Sequence, residues 1–463
     1  MEFISTRGKT AGLGFIDAVL MGLADDGGLL VPKAIPQVSG DTLAKWQQLS
    51  YPELALEIMS LYVDGEIPRD ELKALIDSSY STFRSKDVTP VRKLKDDLYV
   101  LELFHGPTFA FKDIALQFLG NLYSYISRKN HSIIHILGAT SGDTGASAIE
   151  GVRGKEGIKI CILHPKGKVS KVQELQMTTV DDRNVLNLAV DGNFDDCQRI
   201  IKELFADVSF KNEYHLRAIN SINFARILAQ TVYYFYAYFE LLNHGVTGPI
   251  HFSVPTGNFG DIFAGYLAKK MGLPAGKLIL ATNENNILER FVNDGLYRPG
   301  EFHMTYSPSM DIQVASNFER YLYYLLGEDG AAVSARMEAF RAEGRIAVEG
   351  DLLAKVQQDF AAASVENDDC LATIGQVHDD EGYLLDPHTA CGVAAAGQLG
   401  ARGEATVALA TAHPAKFNEA IELIQIEQTF PAQIQALFDK TQHQKQVSGT
   451  NEAVKAELLQ FYS

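Results

Sequence analysis

Twice in this chain an apolar, strand-like run leads into a glycine-rich turn and out into a helix. Residues 133–137 are followed by Gly138-Ala139-Thr140-Ser141-Gly142-Asp143-Thr144-Gly145, then by Ala146, Ala148 and Ile149 at helical spacing. Residues 251–254 are followed by Pro255-Thr256-Gly257-Asn258-Phe259-Gly260-Asp261 and a helix over 262–271. A strand that must turn into a helix before the next strand builds parallel α/β layers. Further strands are expected at 158–163, 185–190, 278–281 and 406–409, and helices at 194–205 and 222–242, so the fold class is α/β.

A third stretch has the same shape. The apolar run 98–104 ends in His105-Gly106-Pro107-Thr108-Phe109-Ala110-Phe111-Lys112-Asp113, and Ile114, Phe118, Leu122 and Ile126 then repeat every four residues. Lys112 therefore sits at a strand-to-helix junction among Phe109, Ala110 and Phe111, with Asp113 placed to cap the helix. A partly desolvated lysine suits a nucleophile. By itself the stretch reads more simply as a surface lysine at a helix start.

Both glycine turns leave backbone N–H groups unpaired at a helix N-terminus, where the dipole favours an anion. Neither fits GxxxxGK[ST], which disfavours a P-loop. Neither fits GxGxxG with an acid about twenty residues on, which disfavours a dinucleotide-binding unit. Two anion-binding turns and a lysine suit a phosphorylated cofactor that forms a Schiff base, pyridoxal 5′-phosphate (PLP).

At 463 residues the chain exceeds what one core supports, so two or three domains are expected. The net charge of −17 argues against nucleic acid or an anionic membrane as partner. Cys161, Cys197, Cys370 and Cys391 lie far apart with no zinc spacing, which points to reduced thiols in a cytoplasmic protein and to no metal site. The start of the chain lacks a basic region and an apolar core, so no leader is expected. The longest apolar run, 227–242, is broken by Gln230 and Glu240 and is too short to span a bilayer. Residues 1–95 read as mainly helical: Asp41 is expected to cap a helix toward Leu49, Leu54, Ile58 and Leu61 share an apolar face, and a helix opens at 67–71. The Ala-rich stretch 327–375 also reads as helical.

The motifs HGPTFAFKD, GATSGDTG, NSINFAR, VPTGNFGD and TAHPAKF occur in that order. In this they closely resemble threonine synthases of the kind found in bacteria and fungi, a family of fold-type II PLP enzymes related to tryptophan synthase β. The resemblance runs from about residue 1 to about 430 and is loose between 300 and 380. It implies two α/β domains plus a mainly helical N-terminal domain over 1–95. The large PLP-binding domain would take 96–130 and 240–463, and the smaller one 131–239.

It also implies roles. Lys112 would carry the cofactor and act in catalysis. Gly257, Asn258, Phe259, Gly260 and Asp261 would hold the cofactor phosphate, and the Thr411 hydroxyl the pyridine nitrogen. Ser141, Gly142 and Thr144 would face the substrate carboxylate. Asn223 and Arg226, three apart at a helix start, are candidates for the substrate phosphate, with Lys166 and Lys168 as possible helpers. Related enzymes often carry Asn where this chain has Asp143, whose role stays open between helix cap and site residue. The reaction implied is β,γ-replacement: O-phospho-L-homoserine and water give L-threonine and phosphate. The small-molecule substrate would be met by a monomer or homodimer. Alternatives are a serine/threonine dehydratase or cysteine-synthase-like enzyme on the same fold, a PLP-binding homologue without catalysis and, more distantly, a nicotinamide dehydrogenase.

Overall fold

Near-continuous apolar strands dictate sheets covered on both faces. All six residues of Ile250–Pro255, all five of Leu278–Thr282 and all six of Ala405–Ala410 are buried. In the computed structural model, which describes residues 1–462, they form the centre of a six-stranded sheet. Its order is Phe360–Ser364, Leu278–Thr282, Ile250–Pro255, Ala405–Ala410, Leu98–Glu102 and Val91–Lys95. Every neighbouring pair is parallel except the last, which is antiparallel. This sheet belongs to a unit made of residues 1–76, 83–105 and 221–427.

The second unit comprises 77–82, 106–220 and 428–463. Its five-stranded sheet is parallel throughout, in the order Lys445–Ser448, Val185–Asp191, Ile158–Pro165, Ile134–Ala139 and Leu216–Ala218. The helix Asn451–Tyr462 seals its core by burying Val454, Leu458 and Tyr462 beside Leu137, Leu163 and Leu188. The division thus differs from the expected one. Residues 1–76 fall in the first unit with the six-stranded sheet, while 106–130 and 428–463 fall in the second.

Near the N-terminus, helices cover Phe15–Met21, Gly40–Trp46, Tyr51–Val63 and Arg69–Tyr80. Ser39, and not Asp41, caps the second of these, because its hydroxyl accepts from the Thr42 N–H. Leu61 is exposed, and Tyr51, Ala55, Met59 and Tyr62 complete the buried face with Leu54 and Ile58.

The stretch 327–375 holds two strands the composition hides, the two-residue Ile346–Ala347 and Phe360–Ser364. Phe360–Ser364 pairs in parallel with Leu278–Thr282, because the open sheet edge outweighs the helix preference of three consecutive alanines. The long helix Phe224–Asn243 is apolar on nearly all sides because it is buried on nearly all sides. Among the described residues no helix is long and apolar enough to cross a membrane.

Candidate active site

Lys112 is the first residue of the helix Lys112–Asn130 in the second unit. The loop before it is locked from below. Asp113 accepts from the Thr108 N–H at 2.7 Å and from the Thr108 hydroxyl at 2.6 Å, and Ser147 Oγ lies 2.8 Å from that hydroxyl. Asp113 therefore ties down the preceding loop, where a cap for its own helix was expected. Phe109 sits at φ +61, a left-handed conformation that costs a bulky residue energy and marks a constrained loop.

The lysine helix lies against the helix Asp143–Val152 with almost nothing between them. A β-carbon on Gly120 would run into the carbonyl oxygen of Gly151, and one on Gly151 into that of Leu116. This close crossing brings the first residues of the two helices together. Lys112 is 9% exposed, and its Nζ lies 3.3 Å from Asp143 Oδ2 and 5.3 Å from the Phe111 ring centroid.

The turn before Asp143 is built around Thr140, whose hydroxyl oxygen accepts from the Gly142 N–H at 3.0 Å and the Gly145 N–H at 2.9 Å. Gly142 stands at φ +151 with the Gln173 side chain where a β-carbon would be. Gln173 Nε2 donates to Asp143 Oδ1 at 2.8 Å. Both Asp143 oxygens are thus engaged, one by Gln173 and one by Lys112, and the helix N-cap is Gly142, with no side-chain cap. Of the expected carboxylate contacts, Ser141 is exposed, Gly142 is buried and Thr144 is half-buried. Lys166 is exposed and donates to Gln446, and Lys168 is exposed.

In the first unit, Gly257–Asp261 opens the helix Gly260–Met271. Among the described residues the N–H groups from Gly257 to Ile262 find no acceptor, whereas those on either side, Thr256 and Phe263, do. Phe259 holds the turn open at φ +64, and Asn317 braces it from outside: its backbone N–H and its Nδ2 donate to the Asn258 carbonyl at 3.0 and 3.1 Å. A run of unpaired amides at a helix N-terminus fits a phosphate. Gly257 is glycine for a second reason, since a β-carbon there would stand 2.8 Å from the Ser309 carbonyl oxygen.

Asp261 contributes its backbone to this turn, but its carboxyl faces away. Oδ1 accepts from Tyr233 at 2.5 Å and Tyr234 at 2.9 Å, and burial pushes the carboxyl up to about 6 against the pull of those hydroxyls. Thr411, the residue after the Ala405–Ala410 strand, is buried, and its N–H donates to Thr389 Oγ1 at 3.3 Å.

Asn223 is the N-cap of the long helix. Its side-chain oxygen accepts from the Ala225 N–H and its nitrogen donates to the Val19 carbonyl, so both ends of the carboxamide serve the fold. Arg226 is 3% exposed, and burial lowers its guanidinium to about 10, which leaves it charged at neutral pH. Gln173, Asn317 and the run Asp386-Pro387-His388-Thr389 were not read from the sequence. Only the last carried a signal, an N-capping aspartate before a proline at the first helical position.

Comparison with known proteins covers the whole chain. Family models match in three parts: threonine synthase N terminus at residues 2–80, pyridoxal-phosphate dependent enzyme at 84–356, and threonine synthase, C-terminal, at 389–457. Threonine synthase of Schizosaccharomyces pombe is 47% identical over 461 residues, covering 91% of this chain and 89% of that protein. Threonine synthase of Pseudomonas aeruginosa is 47% identical over 443 residues, covering 95% and 94%. The crystal structure of PLP-bound threonine synthase from Brucella melitensis matches with a TM-score of 0.96 at 42% identity, covering 100% and 99%.

Proposed function

The chain belongs to the threonine synthase family of pyridoxal-phosphate dependent enzymes, and we propose that it converts O-phospho-L-homoserine and water into L-threonine and phosphate. One observation carries the assignment of residues: the unbroken run of amides from Gly257 to Asp261 that no acceptor among the described residues satisfies. These amides hold the cofactor phosphate, with Asp261 acting through its backbone. Thr411 Oγ1 would be the partner of the pyridine nitrogen. A hydroxyl there leaves that nitrogen neutral more readily than a carboxylate would.

Bound PLP supplies an electron sink for the carbanions formed at Cα and Cβ of the substrate. Lys112 Nζ would hold the cofactor at rest and, with substrate bound, would take the Cα proton and later return it. Asp143, 3.3 Å away and itself held by Gln173, steadies the ammonium form between these transfers. N–H groups and hydroxyls at Ser141 and Thr144 receive the substrate carboxylate at the N-terminus of the Asp143–Val152 helix, and Gly142, whose own N–H goes to Thr140 Oγ1, shapes the turn between them. Arg226 grips the substrate phosphate with its planar fork, and Asn223 fixes the start of the helix that carries it. The net charge of −17 speaks against a nucleic-acid partner, and four buried cysteines without a disulfide suit the cytoplasm.

The test is phosphate release and threonine formation from O-phospho-L-homoserine by the PLP-loaded protein. Turnover of L-serine or L-threonine with none of the phosphorylated substrate would move the assignment to a dehydratase.

A further inference from the structure

At the start of the helix Pro387–Leu399 the fold buries an ionisable pair that the reaction does not use. Asp386 is 1% exposed and His388 3%. Burying a carboxylate costs energy unless its partners are well placed, and here each oxygen leads somewhere. Asp386 Oδ1 accepts from the His388 N–H at 3.0 Å and lies 2.8 Å from His388 Nδ1. The Ser309 N–H donates to His388 Nε2 at 3.1 Å, which makes Nε2 the acceptor and puts the ring proton on Nδ1, toward Asp386. Ser309 in turn presents its carbonyl to the Gly257 α-carbon, where no β-carbon fits.

The other oxygen leads elsewhere. Asp386 Oδ2 accepts from the Thr389 hydroxyl and from the Thr389 N–H, and Thr389 Oγ1 accepts from the Thr411 N–H at 3.3 Å. The helix that Asp386 caps, and that bears His388 and Thr389, lies on the strand that feeds the phosphate turn: the Ser253 hydroxyl donates to the Gly392 carbonyl at 2.6 Å, and Gly392 meets the Pro255 ring.

We propose that Asp386, with His388 and Thr389, is a positioning yoke that sets the phosphate turn and the Thr411 hydroxyl at the separation a rigid pyridoxal phosphate requires. One carboxylate governs both ends. Its Oδ1 arm, through His388 and Ser309, backs Gly257, and its Oδ2 arm, through Thr389, holds Thr411. Because the cofactor is flat and stiff, displacing either end mispositions the ring. This deepens the reading above and rests on it, since Gly257 and Thr411 must be the cofactor's partners.

The experiment loads the full-length protein with PLP and reads three quantities: PLP affinity, the visible absorption of the bound cofactor and the phosphorus resonance of its phosphate. Thr389→Val should weaken PLP about tenfold and shift the absorption while leaving the phosphorus signal in place. Thr389→Ser, which keeps the hydroxyl, should rescue both. His388→Ala should move the phosphorus signal, and Asp386→Asn should move both signals.

If Asp386→Asn does not fold, the Thr389 pair differs by so little that it still decides the matter. Variants that only melt earlier, with affinity and both spectra of the parent, would overturn the proposal and leave an ordinary helix cap. Thr411→Val separates the two levels. If it shifts the absorption and Thr389→Val does not, the yoke alone fails. If neither does, the assignment of Thr411 fails and the yoke with it.

Discussion

Asp143 Oδ2 stands 3.3 Å from Lys112 Nζ, and the two residues open helices that touch backbone to backbone at Gly120 and Gly151. A related turn with Asn in that place would offer the lysine a neutral neighbour; here it meets a carboxylate. Asp143→Asn removes that charge yet keeps an oxygen for Gln173. A charge-assisted contact contributes roughly 1.5–3 kcal/mol, so kcat should fall about ten- to a hundredfold while PLP uptake persists. Steady-state phosphate release beside a PLP absorbance titration checks this. An unchanged kcat would reduce Asp143 to a packing residue.

Gly257→Ala tests the phosphate turn from behind. The new methyl would press on the Ser309 carbonyl at 2.8 Å and on Met310 Cα at 3.1 Å, both backbone atoms that yield little. Overpacking of this kind costs about 1–3 kcal/mol. The expected result is PLP affinity weakened about tenfold or more, measured by equilibrium titration, with a smaller change at Gly260→Ala, where the nearest atom is Asn317 Nδ2 at 3.3 Å.

The two turns were legible in the sequence because glycine, strand and helix signals coincide within a dozen residues. What closes around them was not. The Ser309 N–H finds a ring nitrogen 79 residues away and the Thr411 N–H a hydroxyl 22 residues away, and no local pattern announces either bond. Phe360–Ser364 escaped because alanine carries no strand signal until a neighbouring edge binds it. Lys445–Ser448 escaped because an exposed edge strand needs little apolar content. Nothing near Asp261 in the chain foretells that its carboxyl meets the hydroxyls of Tyr233 and Tyr234.

Asp261 makes stability depend on pH in a stated direction. Burial raises its carboxyl from an ordinary value of 3.8 to about 6, so the folded chain holds this proton more tightly than the unfolded chain. Its contribution is fully present below about pH 4 and is lost as pH rises toward 6. In the cofactor-free protein, Asp261→Asn keeps an oxygen for the two tyrosines and should be more stable than the parent at pH 7, on the order of 3 kcal/mol. The advantage should vanish below about pH 4. Melting curves across pH 3.5–8 would show it, and parallel curves for the two proteins would refute it.

On the proposed function, Arg226 would separate this enzyme from relatives that bind no substrate phosphate. Arg226→Ala should keep PLP and its absorption yet lose about ten- to a hundredfold in kcat/KM for O-phospho-L-homoserine. Arg226→Lys should recover only part, because a point charge does not reproduce the fork. Wild-type turnover in the alanine variant would hand the phosphate to another group, with Lys166 and Lys168 next to be tested.

The central claim is that Lys112 is the residue that carries pyridoxal phosphate. Borohydride reduction of the PLP-loaded protein, followed by proteolysis and peptide mass spectrometry, tests it in one step. The account predicts a single modified peptide, spanning Lys112 and carrying the mass of a reduced phosphopyridoxyl group, and no modification in Lys112→Ala. A label on any other lysine, or an unlabelled Lys112 in a protein that has taken up PLP, would contradict it.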